Sequence, residues 1–182
     1  DQYVHEFGYR EITLSSLSSG DHPELREIIE ELNLMYEDNK ISFSLPSLKV
    51  DSFSLDILEK LSEVRKSGLT FAIETPLQEW QRAVNKEVPI ETVIDIIREA
   101  KQRGWRLAKF YFMIGLPHVD PMIEQQAIVD YIRTIKQATN IGMNINIGTF
   151  IPKAHTPFQY ASQMLPDATR THLFNIKKAI ME

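Results

Sequence analysis

Apolar residues recur along this chain with two alternating periods. Short β-type runs occupy residues 10–16, 41–45, 69–73, 107–114 and 143–150. After each run the apolar positions fall three or four apart, the spacing of one helix face. The first such segment, 23–37, carries Leu25, Ile28, Ile29, Leu32 and Met35, with Asp21 as its N-cap, Pro23 near its first turn and Asn39 as its stop. Further helices are predicted over 53–66, 78–84, 89–103, 123–138 and 166–181. Gly68 and Gly104 mark ends, and Ile90, Val93, Ile94, Ile97 and Ala100 form one face of the fourth. Strand starts at 10, 41, 69, 107 and 143 give units of 28 to 38 residues, the length of a βαβ crossover. No linker or low-complexity tract interrupts them, so the expectation is one α/β domain over residues 1–182 with a parallel sheet.

Composition changes this picture only by exclusion. Of 182 residues, 43% are hydrophobic and 25% charged, which places the chain among globular rather than disordered proteins. No stretch approaches the roughly 18 apolar residues of a membrane helix, and no signal peptide opens the chain, so a cytoplasmic location is expected. A net charge of −5 argues against a general nucleic-acid binder, whose affinity comes from neutralising phosphates. There is no cysteine, so thiolate nucleophiles, disulfides, Cys-ligated zinc and Cys-bound clusters cannot come from these residues. A start at Asp1 and an end inside a helical pattern are read as the ends of a piece of a larger protein.

Motifs narrow the α/β choices. Neither G-x-G-x-x-G nor G-x-x-x-x-G-K-[ST] occurs, which disfavours nucleotide-binding open sheets and leaves a barrel or an arc of one. Sites in such folds form where strands end. Those positions hold Ser18, Ser19, Gly20 and Asp21; Pro46, Ser47 and Lys49; Glu74, Thr75 and Gln78; Gly115 to His118 and Asp120; and Pro152, Lys153, His155 and Thr156. Asp21 reads equally as a helix cap, the histidines as loop residues, and Lys109 as a lysine snorkelling from a barrel end. Glu74, directly after Leu-Thr-Phe-Ala-Ile, belongs at the mouth of the sheet, with a salt bridge to a loop lysine as its structural alternative. No G-x-S-x-G, H-E-x-x-H or His/Asp cluster assembles.

The ordered set Ser18-Ser19-Gly20-Asp21, Leu45-Pro46-Ser47-Leu48, Leu69-Thr70-Phe71-Ala72-Ile73-Glu74, Asn85-Lys86, Lys109-Phe110-Tyr111-Phe112-Met113-Ile114-Gly115-Leu116-Pro117 and Phe150-Ile151-Pro152-Lys153-Ala154-His155-Thr156-Pro157-Phe158 resembles the radical S-adenosylmethionine (SAM) enzymes. The resemblance is closest to an uncharacterised branch often fused to a cobalamin-binding-like domain, and more distant to methylthiotransferases and the elongator-type catalytic subunit. It covers about residues 9 to 165. It implies a partial parallel (β/α) barrel of the TIM-like type, with about five of six βα units in this chain. It also implies an enzyme that uses a [4Fe–4S] cluster to cleave SAM reductively to a 5′-deoxyadenosyl radical, an oxidoreductase in its full-length form, with cobalamin as a further cofactor of the parent. Other domains of the parent chain and a homodimer through the exposed barrel edge are the implied partners.

Carried over residue by residue, the family's Gly-Gly-Glu element falls on Ser19-Gly20-Asp21 and holds the methionine amino group. Glu74 takes the place of a polar group contacting ribose or carboxylate. Ile114 and Gly115 line the adenine, and Phe150 and Ile151 meet its edge. Ser47, Lys109, Lys153 and His155 are candidates for SAM's carboxylate or for substrate. The family's Cys-x3-Cys-x2-Cys loop and first βα unit have no counterpart here, so neither a catalytic residue nor a metal ligand is assigned and the isolated chain is expected to be inactive. Two other readings stand beside this one: a degenerate, non-catalytic binding or scaffold module on the same barrel, and an aldolase-like lyase with Lys109 or Lys153 as Schiff-base amine.

Overall fold

The structure, a computed structural model, describes residues 2–14, 22–44 and 69–181. In chain order these form α1 (Gln2–His5), β1 (Glu11–Thr13), α2 (Leu25–Met35), a 3-10 turn (Glu37–Asn39), β2 (Ser42–Ser44), β3 (Leu69–Glu74), α3 (Gln78–Ala83), α4 (Ile90–Gln102), β4 (Leu107–Ile114), α5 (Pro121–Thr139), β5 (Gly142–Thr149) and α6 (Pro166–Met181). The strand–helix rhythm is as the periodicity predicts. The predicted helix over 53–66 and Gly68 lie outside the described residues. The expected Asp21 cap is corrected: α2 begins at Leu25, so Glu24 stands at the cap position, without a side-chain cap bond.

The chain divides into two compact units, one of Asp1–Leu69 with Arg98–Arg106, the other of Thr70–Ile97 with Leu107–Glu182. In the first, β1 and β2 pair in parallel with Ile12 opposite Phe43. Its buried side chains include Ile29, Ile41, Phe43 and Tyr36, the last two with ring centroids 6.1 Å apart.

The second unit holds a sheet of order β3-β4-β5. β4 and β5 run parallel over their full length, from Leu107 opposite Gly142 to Ile114 opposite Thr149. Alternate residues of β4, namely Ala108, Phe110, Phe112 and Ile114, are fully or nearly fully buried. Phe110 stacks on Phe71 of β3 at 5.3 Å, and Phe112 meets Tyr131 of α5 edge-on at 5.7 Å. Ile128, Ile132 and Ile135 of α5 and Ile176 of α6 complete this apolar side. At roughly 1.5–3 kcal/mol for each large side chain, this layer supplies much of the driving force for the unit.

Boundaries shift where local chemistry overrides period. α5 starts at Pro121 rather than 123 because the Asp120 carboxylate accepts from the Met122 amide at 2.7 Å and Pro121 needs no N–H partner there. α5 ends where Asn140 turns left-handed at φ 47°. β5 ends at Thr149, and the Phe150 amide still closes the parallel ladder by donating to the Ile114 carbonyl at 2.8 Å.

Candidate functional site at the strand carboxyl ends

Three loops leave the carboxyl ends of β3, β4 and β5 in the second unit. Each contains one non-glycine residue with left-handed backbone: Glu74 at φ 64°, His118 at φ 60° and His155 at φ 64°. Such conformations cost energy and persist where surrounding structure enforces them, which is common at ligand sites.

After β3, the Thr75 amide donates to the Ile73 carbonyl at 2.8 Å across Glu74, a γ-turn of the rare positive-φ kind. The turn is held from below by Gln81 of α3, which is buried. Its side-chain amide donates to the Thr75 carbonyl at 2.8 Å and its side-chain oxygen accepts from the Val88 amide at 3.0 Å. Glu74 itself pairs with Lys86, whose Nζ donates to Oε1 at 3.0 Å, with the Glu74 side chain 35% and the Lys86 side chain 39% exposed. The loop-lysine alternative raised for Glu74 is therefore what the geometry shows.

After β4, Gly115 takes φ 80°, and a Cβ there would stand 3.1 Å from Met164 Cβ. The Gly115 and Leu116 amides both donate to Glu124 of α5, at 2.7 Å to Oε2 and 3.1 Å to Oε1. Glu124 is 2% exposed. Burial pushes its carboxyl upward from the ordinary glutamate range, opposed by the two amide bonds and by the nearby His172. A cavity of about 430 Å³ opens beside this loop, lined among others by Leu116, His118, Tyr160 and Met164. That volume is in the range of small-molecule sites.

After β5, Phe150 meets Phe158 edge-on at 6.0 Å, and Phe158 packs on Trp80 of α3 at 5.5 Å. This aromatic row ties the β3 and β5 loops together. The Ile151 side chain is 58% exposed, and its backbone makes no turn or loop hydrogen bond among the described residues. Lys153 and His155 are exposed. The Thr156 hydroxyl donates to the Lys153 carbonyl at 2.7 Å, and the His155 amide donates to Gln159 Oε1 at 3.4 Å.

Of the residues singled out from sequence, Glu74, Ile114, Gly115, Phe150 and Ile151 fall at these strand ends. Lys109 sits near the other end of β4, half-buried. Ser19, Gly20, Asp21 and Ser47 lie outside the described residues. Glu124 and Gln81 were not foreseen, because a glutamate and a glutamine at helix positions read as solvent-facing. The signal for Glu124 was its position one turn into a helix that follows a Gly-Leu-Pro loop.

Loops at the carboxyl ends of strands joined by helices, with β4 and β5 parallel, define an α/β protein with a parallel sheet. The chain belongs to the radical SAM superfamily, whose family model matches residues 1–125. Uncharacterized protein MJ0966 of Methanocaldococcus jannaschii is 27% identical over 149 residues, which are 81% of this chain and 31% of that protein. Among solved structures, the Escherichia coli coproporphyrinogen III oxidase HemN, a radical SAM enzyme, superposes on 93% of this chain with TM-score 0.60 and 14% identity. The FeFe-hydrogenase maturase HydG of Carboxydothermus hydrogenoformans superposes on 99% with TM-score 0.58 and 16% identity. The chain spans 40% and 42% of those two proteins. It carries their fold, an α/β partial barrel with parallel strands.

The superfamily implies SAM and a [4Fe–4S] cluster, and the residues present fit these unequally. Cluster iron is held by cysteine thiolates. The sequence has none, and no group of three His, Cys, Asp or Glu side chains suited to a metal forms among the described residues. This chain therefore cannot hold the cluster. For SAM the described residues offer the Gly115–Leu116 loop held by Glu124 and the cavity beside it. No helix of the described residues is long and apolar enough to cross a membrane.

Proposed function

We propose that this chain is the SAM-binding portion of a radical SAM enzyme, acting within a longer protein that supplies the cluster ligands. The observation that carries the reading is the β4 loop. Gly115 and Leu116 are fixed by a buried carboxylate at the carboxyl end of a parallel strand, beside the peptide groups after β5. In this reading Ile114, Gly115, Phe150 and Ile151 receive the adenine, and Glu74 faces the ribose or the methionine carboxylate. The Ile114 carbonyl and Phe150 amide already bond each other, so the Ile151 backbone is the peptide edge left for the base. Ser19, Gly20 and Asp21 take the methionine amino group. SAM held here would, on one-electron reduction in the whole enzyme, give methionine and a 5′-deoxyadenosyl radical. What this chain adds is binding, orientation and exclusion of water around it.

The complete lack of cysteine favours a second reading, a binding or scaffold module on the same barrel without chemistry. One experiment separates the two. The longer natural protein is purified without oxygen, reconstituted with iron and sulfide, and given SAM and reductant. A cluster EPR signal with 5′-deoxyadenosine release supports the enzyme. A folded protein that takes up no cluster supports the module. Calorimetric titration of the 182-residue chain with SAM tests the binding wall alone.

A further inference from the structure

Within the second unit, and among the described residues, one face of the β3-β4-β5 sheet carries exposed polar side chains. Parallel sheets are ordinarily covered on both sides and read as near-continuous apolar runs. Here burial alternates along β4, with Phe110 and Phe112 inside and Lys109 and Tyr111 on the other side, Tyr111 43% exposed. The register sets Lys109 beside Asn144 and Tyr111 beside Asn146, and both asparagines are exposed. Paired residues of neighbouring strands project to the same face, so the four side chains form one polar patch. None of them engages a hydrogen bond or ion pair among the described residues. Glu74, at the end of β3, is neutralised by Lys86. Lys109 is thus the uncompensated charge among the strand residues of this face, a cation in a chain of net charge −5.

We infer that this face binds the remote end of an elongated small-molecule substrate, one that presents a carboxylate or phosphate to Lys109 and hydrogen-bonding groups to Asn144 and Asn146. The identification of this ligand as substrate rests on the proposed SAM-binding reading, which puts the reacting end at the strand carboxyl termini. Lys109 lies five residues before Ile114, so at about 3.3 Å per residue the anchored anion is on the order of 10–16 Å from that end, allowing for the reach of the lysine. An ammonium suits either oxyanion as a point charge, and each asparagine amide both donates and accepts. Binding energy gained at such a distance positions the reacting carbon without taking part in its chemistry.

The test uses the 182-residue chain reductively methylated with 13C-formaldehyde, which preserves lysine charge and gives each lysine an NMR signal. The Lys109 signal is identified by its loss in Lys109→Arg. Glutarate, phenyl phosphate and the neutral glutaramide are titrated with and without SAM. The expected result is a saturable shift of the Lys109 signal at anion concentrations at least tenfold below those that move exposed Lys153, with no response to glutaramide. Asn144→Leu should weaken that binding at least threefold. The anion with the lower half-saturation names the group. An equal response of Lys109 and Lys153 overturns the inference, as does displacement of the anion by SAM, which would assign Lys109 to SAM's own carboxylate. Anion binding at Lys109 with no SAM binding would refute the functional reading and leave the anion site standing. SAM binding without an anion response would do the reverse.

Discussion

Glu124 is the side chain whose replacement most directly tests how the β4 loop is built. Hydrogen bonds to a charged acceptor contribute about 1.5–3 kcal/mol each, and a buried amide left without a partner costs about 1–3 kcal/mol. Glu124→Ala strands both the Gly115 and Leu116 amides and leaves a void. We expect a loss of about 3–5 kcal/mol. Glu124→Gln keeps one accepting oxygen and removes a charge that burial disfavours, so its global cost should stay near about 1 kcal/mol. It places an –NH2 against one of the two amides, however. Hydrogen exchange at that amide should accelerate about 10- to 30-fold, the equivalent of about 1.4–2 kcal/mol of local opening. Unchanged protection at both amides in Glu124→Gln would refute the assigned geometry.

The same residue carries a pH signature. Burial raises its carboxyl above the ordinary value of 4.5. The folded state therefore holds this proton more tightly than the unfolded chain does. Between the ordinary and the raised value the folded state binds more protons, so stability from this group increases as pH falls through that window. The gain is complete below the ordinary value and lost above the raised one. Other carboxylates titrate nearby, so the quantity to measure is the urea-unfolding free energy of the wild type minus that of Glu124→Gln across pH. It should increase on acidification. A flat difference would show that the two amides and His172 cancel burial, and one that grows with rising pH that they outweigh it.

Three other substitutions probe the neighbouring loops. Gly115→Ala combines φ 80° with a Cβ 3.1 Å from Met164 Cβ; a cost of about 1–3 kcal/mol is expected by urea titration, with Met164→Gly, which removes that Cβ, recovering only the steric part when the pair is compared with Met164→Gly alone. Glu74→Gly relieves a strained φ and removes a partly exposed ion pair with Lys86 worth under about 1 kcal/mol, so stability should stay within about 1 kcal/mol. If Glu74 touches SAM, calorimetry of that variant should show at least a tenfold weaker affinity, and an unaltered affinity would make the residue purely structural. Gln81→Ala removes the side-chain bridge from Thr75 to Val88 and should cost about 2–4 kcal/mol, with faster exchange at the Val88 amide as the specific readout.

The strand–helix rhythm was legible because each element spends its apolar residues on one buried layer, and that layer has a period. Val93, Ile97 and Ala100 are fully buried where the helical spacing places them. The groups that shape the site have no period. Glu124 and Gln81 are ordinary helix residues until their side chains reach a loop brought close by the fold. Nothing local distinguishes them from Glu99 of α4, 51% exposed, which pairs with Arg103 just past the end of that helix. Glu74 was found for a different reason: a carboxylate that ends an apolar strand has to emerge at its mouth, whatever its partner.

The open sheet face is an intermediate case, written in the sequence but only through a conflict between two readings. Crossover spacing makes β5 parallel, and a parallel strand should be apolar on both faces. Yet Met143-Asn144-Ile145-Asn146-Ile147 alternates as a half-solvated strand does. Both readings hold together if one side of the sheet is polar, as the exposed Asn144 and Asn146 are. The burial pattern of β4 makes the same statement independently, with Lys109 and Tyr111 opposite the Phe110 and Phe112 layer. A local pattern that contradicts its topology therefore marks a face of polar side chains, and here that face and the Glu124-held loop share strand β4.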